Sequence, residues 1–181
     1  SVEEEIRKVV EEVKRELDRL LEKNDRSVKE AKKELDRLLE ENRRAVEEVK
    51  KALDELEKNG LDKDRVRKLK EDIDARLEEN ERLVRKLKRD LDERLRENEK
   101  RLRELKKEVD DLLRRLATEK VPESEAKRLI DRLRELVKRV AEHSERSDRE
   151  LKKLVDDLRE HSKRSNDDLR RLVEEAEREV R

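Results

Sequence analysis

Apolar residues recur along the chain in steps of three and four. They fall at Val2, Ile6, Val9, Val13, Leu17 and Leu20, then at Val28, Ala31, Leu35 and Leu38, then at Val46, Val49, Leu53 and Leu56. At 3.6 residues per turn this spacing puts them on one face of an α-helix and leaves Arg, Lys, Glu and Asp on the other. A charged helix exposed all round would keep no such stripe. Ser1 with Glu4 forms a capping box that starts the first helix at about residue 2. Asn59-Gly60 ends it at about residue 59, because glycine takes the left-handed cap conformation without a Cβ clash. Asp62 is then an N-cap, with Leu61 and Val66 at the two positions of a hydrophobic staple, so a second helix is expected over about 63–118. The single proline, Pro122, lies in a second turn, Thr118 to Ser124. Beyond it Leu129, Leu133, Val137 and Val140 resume the stripe, giving a third helix over about 123–180.

Two short turns between helices of similar length force the chain back on itself. The expected fold is all-α: one up-down-up antiparallel three-helix bundle over residues 1–181, monomeric, its helices each about 85 Å long. Occasional doubled apolar positions such as Val9-Val10 and Leu38-Leu39 widen each stripe enough for two neighbours and leave no face for a fourth helix.

A longer period is superimposed on the stripe. The segment from Glu16 to Asn24 returns eighteen residues later as Glu34 to Asn42. Eighteen residues make five turns at 3.6 per turn, so the helices are expected to run nearly straight. Polar residues interrupt the stripe with the same period: Asn24 and Asn42, Asn98 and Asn80, then His143-Ser144 with Ser147 and His161-Ser162 with Ser165. Antiparallel neighbours at one height have residue numbers of constant sum. Asn24 with Asn98 and Asn42 with Asn80 both sum to 122, whose midpoint falls in the first turn, and Asn98 with His143 and Asn80 with His161 both sum to 241, whose midpoint falls in the second. Two hydrogen-bonded layers are therefore expected. One holds Asn24, Asn98, His143, Ser144 and Ser147, joined by Ser27, and the other Asn42, Asn80, His161, Ser162 and Ser165; Ala45 stands where Ser27 would repeat. An unpartnered amide in an aliphatic core costs a few kcal/mol, whereas two amides, an imidazole and hydroxyls at one level can satisfy one another.

Composition narrows the function classes. Charged residues make up 60% of the chain and aromatics 0%, far from ordinary soluble domains, while 54 basic and 54 acidic residues cancel. With no basic face for phosphates and no rings for stacking, nucleic acid is not an expected partner. No apolar run reaches the length of a signal core or a membrane span, so a soluble chain without a targeting signal and without membrane binding is expected. The absence of cysteine excludes disulfides and thiolate metal sites. Each histidine is expected among Asn and Ser without a second histidine or an inward carboxylate at its height, so neither a metal site nor a catalytic triad is complete. Catalytic, metal-binding and cofactor-binding residues are therefore all expected to be none.

Capped helices of equal length, the eighteen-residue period, a Leu/Val core, a Glu/Lys/Arg/Asp surface and polar core layers of Asn, His and Ser together resemble the de novo designed helical bundles with modular buried hydrogen-bond networks. The resemblance implies a recombinant structural scaffold whose layers specify packing register, with no natural biochemical activity and no required partner. It also implies an alternative, a switch module opened by acid or by an exchanged partner helix. Buried neutral imidazoles would lose stability as they are protonated, and the acid form of the switch depends on that burial. A slip of eighteen residues would still match one layer to the other's partner, so the short turns must exclude it.

Overall fold

A computed structural model describes residues 2–118 and 121–180 of the chain. Three helices account for nearly all of them: α1 (Val2–Lys58), α2 (Lys63–Thr118) and α3 (Glu123–Val180). The architecture is a three-helix bundle, α2 antiparallel to α1 and α3, with no strand among the described residues.

Local chemistry sets the helix ends. At the end of α1 the Leu61 N–H donates to the Leu56 carbonyl at 2.9 Å and the Gly60 N–H to the Glu57 carbonyl at 3.2 Å, which closes the helix with Gly60 at φ +112°. The Asp62 carboxylate then accepts from the Arg65 N–H at 3.3 Å, and Leu61 and Val66 are both buried beneath it. At the start of α3 the Pro122 carbonyl accepts from the Ala126 N–H at 3.0 Å; a residue with no N–H of its own opens the helix at no cost in hydrogen bonds. The expected capping box depends on Ser1, and the centre of the second turn on Glu119 and Lys120; all three lie outside the described residues.

The contacts divide the chain into two compact units. Side chains in a long bundle meet only others at their own height, so packing is local along each helix. The first unit takes residues 1–29 and 91–151, and its core is built on Val10, Leu17, Leu20, Leu102 and Leu133. The second takes residues 30–90 and 152–181, around Leu53, Val66, Ile73 and Leu169.

Flanking ion pairs tie α1 to α2 in a reciprocal code. In the first unit Lys14 meets Asp110 at 2.8 Å and Lys106 meets Asp18 at 3.0 Å. In the second, Lys50 pairs with Asp74, Lys70 with Asp54, and Lys88 with Asp36. Both helices carry lysine followed four residues later by aspartate, as in Lys14/Asp18, Lys50/Asp54, Lys70/Asp74 and Lys106/Asp110, and the opposed chain directions set each lysine against an aspartate. These side chains are only partly buried, so each pair contributes at most about 1 kcal/mol, and their weight lies in the registers they disfavour.

Candidate functional site: two polar layers in the core

In the first unit Asn24 is 4% exposed among leucines and valines. Its Oδ1 accepts from the Asn98 Nδ2 at 3.1 Å, and the same Asn98 amide makes a longer contact of 3.5 Å to the Ser147 Oγ. The Asn24 Nδ2 is buried and has no partner. In the second unit the connections run differently. The Asn80 Nδ2 donates to the Asn42 Oδ1 at 3.2 Å, and the Asn42 Nδ2 donates to the Asn166 Oδ1 at 3.0 Å, a relay from α2 through α1 to α3. Asn42 is as deeply buried as Asn24, but both ends of its amide are satisfied.

The asparagine pairs between α1 and α2 thus form within each unit. The α3 members of the layers differ from those the sequence suggested. The α2–α3 contacts Arg94–Glu150, Arg101–His143 and Asn98–Ser147 stand at residue sums of 244 or 245, about one turn away from the 241 inferred from the histidines. The residues of α3 that reach the layers are Ser147 in the first unit and Asn166 in the second.

His143 and His161 are exposed, which corrects their placement inside the layers. The cause is angular. The buried stripe of α3 passes through Leu133, Leu151 and Leu169, and His143, eight residues before Leu151, stands roughly 80° round the helix from it at 100° per residue. His161 has the same relation to Leu169. The His143 Nε2 lies 3.4 Å from the Arg101 Nη1 at the rim of the first unit. Among the described residues no hydrogen bond joins His161, Ser162 or Ser165 to Asn42 or Asn80, nor Ser27 or Ser144 to Asn24 or Asn98; these serines are half-buried.

Sequence reasoning missed Asn166 and Asp148. They stand eighteen residues apart, each three before a buried leucine of α3, and that spacing was the available signal. Asp148 is an inward-leaning carboxylate, 17% exposed, where none was expected, and it pairs with Lys23 of α1 at 3.5 Å. At this position of α3 the first unit therefore has an ion pair and the second a hydrogen bond between side-chain amides.

Electrostatics add one strong feature in the second unit. Arg37 clasps the Glu34 carboxylate with two bonds of 3.0 and 2.5 Å, and Arg159 of α3 adds another at 3.0 Å. These guanidinium bonds hold the Glu34 pKa down at about 2. Arg19 lowers Glu16 and Lys14 lowers Asp110 in the same way. A carboxylate depressed by folding contributes stability above its unfolded pKa and loses it as pH falls through the folded one. For Glu34 that window runs from about 4.5 to about 2. With screening by water, Glu34→Gln is expected to cost about 1 kcal/mol at pH 7 and nothing near pH 2, as read from paired denaturant titrations.

Chemically the bonds among Asn24, Asn98 and Ser147, and among Asn42, Asn80 and Asn166, join neutral donors and acceptors. The Ser147 hydroxyl accepts from an amide, and the contact recorded for the His143 ring is to a guanidinium. Among the described residues no group of three or more His, Cys, Asp or Glu side chains is placed to hold a metal ion, and no helix is long and apolar enough to cross a membrane. No protein-family model matches the chain, and no curated protein or solved structure is detectably similar to it.

Proposed function

We propose that the chain is a designed single-chain scaffold, a monomer without catalytic activity, cofactor or required partner, in which buried asparagine layers specify the register of α1, α2 and α3. The observation that carries this reading is the Asn80–Asn42–Asn166 relay, in which three amides on three helices are bonded in series inside a leucine core. A shift of one turn would leave each of those amides against aliphatic neighbours, so the relay penalises misregister more than it raises stability. The acid-switch alternative is less well supported, because it depends on buried imidazoles and both histidines are exposed.

The test replaces Asn42, Asn80 and Asn166 together by leucine. Unfolding free energy is expected to stay equal or rise, as is usual when a buried polar set is exchanged for packed apolar groups. Uniqueness should fall, seen as multiple amide resonances or as species heavier than the 22.0 kDa monomer in light scattering. A triple variant as uniquely folded and monomeric as the parent would remove the layer from its role. The parent is expected to remain helical and monomeric at pH 5. Opening at that pH, abolished by His143→Asn with His161→Asn, would instead establish the switch.

A further inference from the structure

We propose that the first unit contains a binding site for a small organic monocarboxylate, about the size of benzoate, beside its polar layer. A cavity of about 220 Å³ lies there. Its apolar wall is Leu102, Leu105 and Val140, and Arg101, Arg139 and His143 stand exposed at its rim. Asn24 also lines it, although its unpartnered Nδ2 has no surface open to the cavity. The site therefore presents an aliphatic wall beneath two guanidiniums.

The cations at the rim are lightly held. Arg101 contacts the His143 ring at 3.4 Å, and Arg139 pairs loosely with Glu135 at 3.8 Å. A carboxylate can face the two guanidiniums with its oxygens, and charge-assisted bonds of that kind are the stronger sort. The aliphatic wall selects a ligand with an apolar body over inorganic phosphate, whose oxygens would all need partners. Size is compatible, since an apolar cavity of about 150 Å³ accepts benzene.

The second unit supplies an internal comparison. Eighteen residues away, Leu83 replaces Arg101 and Asp157 replaces Arg139. The amide corresponding to Asn24 is closed by Asn166, and the matching cavity is only about 40 Å³. The repeat is broken at each of the groups a carboxylate would use.

Sodium benzoate titrated into the full-length protein, followed through the asparagine side-chain NH2 resonances, tests the site. Saturable shifts are expected at Asn24 and not at Asn42. Benzyl alcohol, neutral and of similar shape, should bind at least tenfold more weakly, and Arg101→Leu, an exposed change to the residue the second unit already carries, should weaken benzoate by a similar factor. Absence of a saturable shift at Asn24 would overturn the proposal. Equal binding of benzyl alcohol, or benzoate binding unchanged in Arg101→Leu, would reduce the site to an apolar hole and overturn it equally.

Discussion

Replacing Asn42 by leucine is expected to lower the unfolding free energy by about 2–4 kcal/mol, whereas the same change at Asn24 should alter it by no more than about 1 kcal/mol. The two residues have the same type, the same 4% exposure and equivalent places in the repeat. Their partners decide the difference. Loss of Asn42 strands the Asn80 Nδ2 and the Asn166 Oδ1 at once. Each half-buried group left without a bond costs about 1–3 kcal/mol, and the added apolar contact of leucine offsets part of that. Loss of Asn24 strands only the Asn98 amide, which keeps its contact to Ser147, and it removes a buried Nδ2 that had no partner. Denaturant midpoints of the two variants, with unchanged slopes, make the comparison directly. Equal losses at the two positions would contradict the bonding described for the layers.

The second large effect belongs to the aliphatic core. Ile73→Ala is expected to cost about 3–5 kcal/mol, since Ile73 is 0% exposed in the second unit's core and the space it leaves cannot be refilled without moving a helix. Leu83→Ala provides the control. Leu83 is 38% exposed, so part of its surface stays in water on folding and its truncation should cost only about 1–2 kcal/mol. Thermal or denaturant unfolding read by circular dichroism distinguishes the pair, and comparable effects at the two positions would mean that α2 is packed on a different face.

Much of this fold is legible in the chain because its signals are local and repeated. The stripe from Ile6 to Leu56 identifies α1, and Gly60 with Asp62 places the turn through backbone conformation and capping alone. The pairing of α1 with α2 follows from a turn of few residues, which fixes the residue sum that sets Asn24 against Asn98. Helix α3 is harder to read. Its two histidines keep the period of the layers but stand off the stripe, so the residue sum they give is about one turn out. In a chain that is 60% charged, the one mark of Asp148 as an inward carboxylate is its place three residues before Leu151, which Asn166 shares before Leu169. The unequal satisfaction of Asn24 and Asn42 depends on where side chains on α3 point, which no residue spacing encodes.

The lysine–aspartate pairs between α1 and α2 carry a consequence for concentrated solutions. Because both helices spell Lys-x-x-x-Asp in the same direction, the code is a palindrome: an α1 from one molecule offers an α1 from another the same alternation of charge that α2 offers it within the chain. Preference for the intramolecular hairpin then comes from tethering. A connection as short as Asn59 to Asp62 holds the two faces at an effective concentration on the order of millimolar or above, well beyond what intermolecular pairing reaches in dilute solution. Cleavage of the backbone at Gly60 would abolish that advantage, and the freed α1 segments could then compete with α2 for one another at a rate set by how crowded the solution is.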